Sequence, residues 1–283
     1  MPSVQELITD VSDLVSLPEI AVRITEMVDD ANSSADDIGK VIAQDPGLAA
    51  RLLKIANSPL FGLSKEISSI PRAVTILGTK QLRDLVVSTT ASHAFDGIPN
   101  ELISLQNFWR HSLYCGLLSQ TLAAHSKQAK TESMFIAGLL HDIGQLVMFN
   151  RMPTESTEAL LLVLEGPEEL EMYEAEQRVF GFDHTQVGSE LIKSWHLPEI
   201  IQECVALHHT PELAVNHPAE VAIVHIANAG AVMAELHSMS ETDDLPHIHP
   251  SAWQACKLSP DILAEVIEST DEEFNEIEKL LFP

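Results

Sequence analysis

Residues 135–147 read Phe-Ile-Ala-Gly-Leu-Leu-His-Asp-Ile-Gly-Gln-Leu-Val, and this stretch decides the fold. Its large apolar side chains recur every three or four residues, a spacing that places them on one face of an α-helix. They are Phe135, Leu139, Ile143 and Leu146. The polar pair His141-Asp142 lies beside that face, so the pattern predicts a helix that carries a histidine and a carboxylate toward the interior.

Helical patterns also dominate the rest of the chain. Alternating Val/Ile/Thr runs bounded by Asn-Gly or Asp-Gly turns, which would indicate β-hairpins, are absent from the sequence. Residues 1 to about 95 predict a set of short helices. Longer helical patterns follow around residues 104–126, 131–149, 184–195, 198–209 and 219–236. Residues 237–250 have no period and predict a loop, and an acidic helix follows it. The predicted fold class is all-α.

A break in periodicity divides this helical chain. The sequence Asp-Gly-Ile-Pro-Asn at residues 96–100 interrupts the helical pattern, which makes it the candidate boundary between two lobes. We therefore predict an N-terminal helical lobe over residues 1–97 and a helical bundle over residues 98–236. A C-terminal loop and acidic helix occupy residues 237–283.

The charge balance restricts the class of partner. The 283 residues include 42 Asp and Glu against 16 Lys and Arg, a formal net charge of −26. This excess repels polyanions and argues against nucleic acid as a partner. No apolar run in the sequence reaches the roughly 18 residues of a membrane span. We expect a cytoplasmic protein without membrane insertion.

Several polar residues lie on the apolar faces of the predicted helices. They are His111, His141, Asp142, His184, His208, His209 and Asn228. Each of them alone fits a core side chain that is satisfied by a backbone group. Together, imidazoles and a carboxylate from five helices form the ligand set that Zn, Fe, Mn or a similar divalent ion takes. A shared metal centre and a dense hydrogen-bonded pocket are the two arrangements that would satisfy them together.

The order and spacing of these residues resemble the HD superfamily of metal phosphohydrolases, and more specifically the HDOD family, the HD-related output domains. The resemblance covers about residues 12–235. It is carried by Leu17-Pro18-Glu19-Ile20, Ala56-Asn57-Ser58-Pro59-Leu60-Phe61-Gly62, Ile67-Ser68-Ser69-Ile70-Pro71-Arg72-Ala73, Phe108-Trp109-Arg110-His111, Ala137-Gly138-Leu139-Leu140-His141-Asp142-Ile143-Gly144 and Gly181-Phe182-Asp183-His184. The resemblance implies a two-lobed helical protein, with an HDOD N-terminal subdomain and an HD-like bundle, that takes part in bacterial signal transduction.

The sequence departs from the catalytic relatives in the same region. A final Asp completes the metal site of HD phosphohydrolases, and Asn228 stands at the matching position. An amide brings no charge, so it should hold an ion less firmly and bridge two ions poorly. In cyclic di-GMP phosphodiesterases a Lys follows the His-Asp pair where this chain has Gln145. The Gly-Tyr-Pro element of those enzymes is replaced by Thr210-Pro211-Glu212. These departures argue against that activity.

A local reversal of charge marks the N-terminal lobe. Between residues 51 and 83 the basic residues Arg51, Lys54, Lys65, Arg72, Lys80 and Arg83 face one acid, Glu66. One interpretation is a solvated face that pairs with the chain's own acidic segments. The other is a docking surface for an acidic partner or nucleotide, formed by Arg51, Lys54, Arg72, Lys80 and Arg83.

Two functions follow from these features. The first is a regulatory output module with a degenerate HD-type pocket, which binds a signalling protein or a nucleotide and lacks efficient enzymatic activity. The second is a metal-dependent phosphohydrolase acting on a nucleotide or phosphate ester, in which His141 and Asp142 hold a water-activating ion. In either case a divalent ion, Fe, Zn, Mn or Mg, is the candidate cofactor.

Overall fold

The computed structural model describes residues 2–11, 18–30, 33–58, 67–91, 102–129, 133–167, 170–239 and 246–281. Within these ranges the regular secondary structure is helical and contains no β-strand, so the all-α prediction is confirmed. The first third forms the predicted short helices. They are α1 (Val4–Val11), α2 (Glu19–Asp29), α3 (Ala35–Ile42), α4 (Pro46–Ala56), α5 (Ile70–Leu77) and α6 (Thr79–Ala91).

The second part of the chain contains the long helices. They are α7 (Leu105–His125), α8 (Met134–Leu140), α9 (Ile143–Arg151), α10 (Pro153–Glu165), α11 (Met172–Phe180), α12 (His184–Ser194), α13 (Glu199–Leu207), a 3-10 helix (Pro211–Leu213), α14 (Pro218–Met239), α15 (Pro250–Cys256) and α16 (Ile262–Leu281). Four predicted patterns match α7, α12, α13 and α14 within a few residues, whereas α10 and α11 were not predicted. Among the described helices, none combines the length and apolar character of a membrane span.

One predicted helix is wrong: residues 131–149 do not form a single helix. Helix α8 ends at Leu140, and a second helix, α9, begins at Ile143, directly after the pair His141-Asp142. The His141 Nδ1 atom lies 2.7 Å from the Gly138 carbonyl oxygen. An unbroken helix would pair that carbonyl with the N–H of Asp142. The His141 side chain therefore competes with the backbone N–H of Asp142 for the Gly138 carbonyl, and helix α8 ends at this point.

The predicted loop over residues 237–250 is also wrong at both ends. Helix α14 continues to Met239, and α15 begins at Pro250. Residues 236–239 contain neither Gly nor Pro, so no residue there interrupts the helix. At the other end, Pro250 occupies the first turn of α15 and the His249 side chain accepts a hydrogen bond from Ser251 N. Residues 240–245 lie outside the described residues.

Specific residues set the helix boundaries in the N-terminal region. Ser34 and Asp37 form a reciprocal capping box at the start of α3. The Asp45 carboxylate accepts from Leu48 N at 2.9 Å and caps α4. Gly78 ends α5 with a φ of 86°, a left-handed value that favours glycine.

Helix α7 lies at the centre of the C-terminal bundle and packs against α8, α14 and α16. Two glycines allow α7 and α8 to approach closely. A Cβ atom on Gly138 would lie 2.6 Å from the Cys115 carbonyl oxygen and 2.8 Å from the Gly116 Cα. This close crossing brings the ring of His141, at the end of α8, to 5.4 Å from the ring of His111 on α7.

Packing also joins the N-terminal helices to the bundle. Helix α6 contacts α8, α1 contacts α12, and α16 contacts α4. The predicted lobe boundary at residues 96–100 lies outside the described residues. The division into residues 1–97, 98–236 and 237–283 therefore remains a prediction.

Candidate metal centre

The seven predicted site residues lie together inside the bundle, although they come from five parts of the fold. They are His111 on α7, His141 and Asp142 between α8 and α9, His184 at the start of α12, His208 and His209 after α13, and Asn228 on α14. His141, His184 and His208 are completely buried, and Asp142 is nearly so. The helical periodicity that predicted inward-facing side chains is consistent with this placement.

Asp142 is the centre of the cluster. Its Oδ2 atom lies 3.1 Å from His141 Nε2. Its Oδ1 atom lies 3.2 Å from His184 Nε2 and 3.3 Å from His208 Nε2. A fourth imidazole follows, because His209 Nε2 lies 3.2 Å from His184 Nε2. Four histidines thus surround one carboxylate.

The other ring nitrogen of three of these histidines is held by an acceptor outside the cluster. His141 Nδ1 donates to the Gly138 carbonyl at 2.7 Å, and His208 Nδ1 donates to the Val205 carbonyl at 2.9 Å. His184 Nδ1 donates to the Glu176 carboxylate at 2.6 Å. In the neutral ring, a proton on Nδ1 leaves the Nε2 lone pair directed at Asp142.

These orientations fit a divalent ion. The atoms His141 Nε2, His208 Nε2 and Asp142 Oδ1 are buried and make no hydrogen bond within the described structure. Lone pairs that face a carboxylate repel it unless a proton or a cation lies between them. Ligand atoms about 2.1 Å from one ion lie roughly 3.0–3.4 Å apart in octahedral or tetrahedral geometry, which agrees with the observed separations.

Two subsets of ligand atoms are compact enough to hold an ion. The first consists of Asp142, His184, His208 and His209, and the second of His111, His141 and Asp142. Within each subset the candidate atoms lie within 4.8 Å of one another. Imidazole nitrogens with one carboxylate oxygen suit Zn, Fe or Mn.

In the second subset, each ring nitrogen of His111 has a polar neighbour that lies outside the subset. His111 Nε2 lies 3.0 Å from Asn228 Oδ1, and His111 Nδ1 lies 3.2 Å from a carboxylate oxygen of Glu235. Asn228 brings no charge to Nε2, and neither Asn228 nor Glu235 is among the ligand atoms of this subset. In the first subset, by contrast, His184 Nε2 faces Asp142 Oδ1, which is itself one of the ligand atoms. The first subset is therefore the better candidate metal site.

The electrostatics of the centre require positive charge beside its carboxylates, which a proton supplies when no ion is bound. Burial opposes the charge of Asp142, but the neighbouring His141, His184 and His208 together outweigh burial and hold the pKa of that carboxyl well below its usual value. Burial would lower the pKa of His184, but Glu176 and Asp142 raise it to about 10. Burial also lowers the pKa of His208 well below its usual value, so this ring is neutral with its lone pair available at neutral pH.

Three further residues contact the histidines of the cluster and were not predicted from the sequence. Glu176, which is buried, accepts from both His184 N at 2.8 Å and His184 Nδ1. Tyr173 stacks on His209 with ring centroids 4.5 Å apart. His225 Nδ1 lies 2.7 Å from the His208 carbonyl oxygen. Because Glu176 lies in a run of glutamates, composition alone indicates a solvated face, and only its position eight residues before His184 connects it to the site.

A cavity of about 430 Å³ opens beside the cluster. Its lining residues are Ile103, Ser104, Asn107, Phe108, His111, Asp142, Gln145, Asn228 and Val232. Among these described lining residues there is no Lys or Arg. The cavity therefore offers amides, a hydroxyl, an imidazole and one carboxylate to a ligand.

The predicted basic docking surface needs one correction. Arg83 is buried, and its guanidinium bonds the equally buried Asp84 at 2.8 Å, so it does not belong to a surface. The ion pair with the adjacent carboxylate compensates the burial of the Arg83 charge. Lys54, Arg72 and Lys80 are exposed, and Arg51 is half-buried. These four residues remain a predicted docking surface.

The chain matches a family model described as the HDOD domain over residues 14–211. An uncharacterized protein of Treponema pallidum is 26% identical over 220 residues, which cover 77% of this chain and 42% of that protein. Cyclic di-GMP phosphodiesterase CdgJ of Vibrio cholerae is 27% identical over 178 residues, 56% of this chain and 40% of the relative. The chain thus spans less than half the length of these curated relatives.

Solved structures share the fold. An HDOD domain protein of Geobacter sulfurreducens is 27% identical, with a TM-score of 0.74 and coverage of 98% of this chain and 95% of that one. A protein of Shewanella amazonensis, provisionally named a phosphohydrolase, is 24% identical, with a TM-score of 0.75 and 97% coverage of both chains. The latter likeness shows the fold alone. By its family match over most of its length, the chain belongs to the HDOD domain family.

Proposed function

We propose that this HDOD protein is a cytoplasmic bacterial signalling module that holds one divalent ion in a degenerate HD-type pocket. It acts by binding a signalling partner or a nucleotide ligand, and it does not depend on efficient turnover. The signalling role agrees with the family membership, and the pocket chemistry described above supports the regulatory mode.

The observation that carries the proposal is the lining of the cavity. Phosphoryl transfer requires positive charge next to the transferring group in addition to a metal ion. Gln145 lies in the cavity wall three residues after Asp142, and no described lining residue is Lys or Arg. A phosphate would therefore meet amides and the Asp142 carboxylate, with no cationic side chain among the described lining residues to stabilise a transition state, which argues against efficient hydrolysis.

The ion would be held by Asp142, His184, His208 and His209. When bound, such an ion supplies Lewis-acid chemistry and lowers the pKa of a coordinated water. In the regulatory interpretation its main effect is structural. It would connect the α8–α9 junction to α12 and to the end of α13, so the loaded protein should be more stable than the metal-free one.

A metal-dependent phosphohydrolase acting on a nucleotide or phosphate ester is the second candidate. One observation favours it: Asp142 both belongs to the candidate metal site and lines the open cavity. An ion on that carboxylate would be accessible to a substrate. In this alternative His141 and Asp142 are the residues whose removal should abolish activity.

A hydrolysis assay separates the two candidates. Protein loaded with Mn, Fe or Mg is incubated with cyclic di-GMP and, separately, with p-nitrophenyl phosphate. The proposal expects no appreciable product from either compound. Several turnovers per minute that are lost in His141→Ala but kept in His125→Ala, a change of an exposed histidine on α7, would establish the enzyme instead.

A further inference from the structure

Helix α10 exposes large apolar side chains to solvent. Leu161 is 46% exposed, Leu162 is 36% exposed and Leu164 is 79% exposed. Three such residues within four positions form a local apolar patch, whereas a single exposed leucine would be unremarkable. Patches of this kind mark interaction surfaces on soluble proteins.

The fold does not use this patch for its own core. Ser156 and Ala159, on the opposite side of α10, are buried, and Leu160 and Val163 are half-buried. That side packs against α9 and α11. The helix therefore has one apolar face that stabilises the protein and a second one that remains available.

Acidic residues flank the available face. Glu158 lies one turn before Leu161 and Leu162, and Glu165 lies one turn after them. Both glutamates are exposed. A second copy of the chain would bring the same glutamates against each other, and an anionic lipid surface would be repelled by them. The complementary occupant is apolar in its centre and basic at its edges.

We propose that the α10 face, defined by Glu158, Leu161, Leu162, Leu164 and Glu165, is a docking surface for a basic amphipathic helix of a partner protein. An amphipathic helix presents apolar side chains at three- and four-residue spacing with basic side chains beside them, so it matches both features. The inference rests on the proposed regulatory function, because the α10 face would be the surface by which the module binds its signalling partner.

The position of α10 connects this surface to the candidate metal centre. Helix α9 begins directly after Asp142, and a single residue, Met152, separates its end from α10. Met152 is buried, and its N–H donates to the Met148 carbonyl at 2.8 Å. The α10 face is thus attached through one short, packed helix to a residue that would hold the ion.

The test uses a defined peptide of about 18 residues, five helical turns, made of Leu on one face and Lys elsewhere. A scrambled peptide of identical composition measures attraction to the acidic protein that does not depend on an amphipathic face. Binding of both is followed by fluorescence anisotropy with the full chain. The key variant is the double change Leu161→Ser and Leu164→Ser, which alters no charge.

A matched control exists elsewhere on the surface. Leu213 and Val215 are 59% and 82% exposed in a turn that Glu203 holds by accepting from Val215 N at 2.9 Å. The double change Leu213→Ser and Val215→Ser removes two comparably exposed apolar side chains away from α10. We expect the α10 variant to weaken peptide binding about tenfold or more, corresponding to the loss of an apolar anchor, and the control variant to change it less than about twofold.

Charge is tested separately. Glu158→Gln with Glu165→Gln should weaken binding and reduce its dependence on salt, since exposed charges are screened beyond about 10 Å at 0.1 M salt.

Equal weakening in the α10 and control variants, or equal binding of the scrambled peptide, would overturn the proposal. A dimer that disappears in the Leu161→Ser and Leu164→Ser variant would also overturn it, in favour of self-association. The variants should keep their metal content. A failed peptide-binding test with normal metal content would therefore reject the docking surface without rejecting the proposed function.

Discussion

The Oδ1 atom of Asn228 lies 3.0 Å from Nε2 of His111. If the amide is turned, its NH₂ group donates to the same nitrogen, so the His111 Nε2 position is used by Asn228 in either orientation. An aspartate at position 228 would instead add a negative charge that attracts a cation. The amide at position 228 therefore brings no charge to the His111 side of the cluster, which favours the four-residue candidate site around Asp142.

Loss of a ligand should remove the ion. His209→Ala is the preferred change because His209 is only half-buried and its loss should disturb the core least. We expect metal affinity to fall at least tenfold, since one of four ligands is missing. The exposed His125→Ala provides the comparison. Equal metal content in the two folded variants would exclude His209 as a ligand.

Glu176 should act as a positioning residue for His184. In Glu176→Gln the acceptor of the His184 Nδ1–H becomes an amide, which offers a donor as readily as an acceptor and no longer fixes the ring proton. Loss of such an outer partner typically costs about 10- to 100-fold in metal affinity. Glu190→Gln, on the surface of α12, is the matched control. Titration with Mn while circular dichroism verifies folding makes the measurement, and an unchanged affinity would show that Glu176 has no such role.

Gly144 should be intolerant of a side chain. A Cβ atom at this position would lie 2.0 Å from the His184 carbonyl oxygen and 2.6 Å from Gly188 N, both of them backbone atoms of α12. Gly144→Ala should reduce the free energy of unfolding by about 1–3 kcal/mol and displace His184. Gly47→Ala should be tolerated, because its nearest neighbour is a side-chain atom of Asp45 at 3.3 Å. Urea denaturation of both variants tests this, and equal stability would refute the close-packing argument.

Restoring the charge at position 228 should admit a second ion. Asn228→Asp places a carboxylate against His111, beside His141 and Asp142, and so supplies the negative charge that would attract a second ion. We expect metal content to rise toward two ions per chain at high Mn. Asn107→Asp adds the same charge to the wall of the same cavity and should leave the count unchanged. An increase in both variants would indicate non-specific attraction.

Periodicity was sufficient for the fold class and for the direction of several polar side chains on their helices. The stripe on α7 predicts where His111 points, and the stripe on α13 predicts the same for His208, because a helix fixes side-chain direction from sequence spacing. The helix break at His141-Asp142 could not be predicted in this way. It depends on a hydrogen bond of the His141 ring that competes locally with the backbone.

The sequence also did not reveal which charged side chains are buried against a partner. Arg83 was expected at a surface, yet it is buried against its neighbour Asp84. The run of glutamates around Glu176 is typical of a solvated face, yet Glu176 is buried against His184. In both cases the charge of a residue predicts exposure, while a partner supplied by the tertiary fold compensates its burial.

The number of ions bound per chain tests the central claim most directly. Protein purified without a His tag is loaded with Mn or Fe, exchanged into metal-free buffer and measured by inductively coupled plasma mass spectrometry against protein concentration. The account predicts one tightly held ion per chain, bound by Asp142, His184, His208 and His209. Two ions per chain in the unmodified protein, or none after loading, would contradict it.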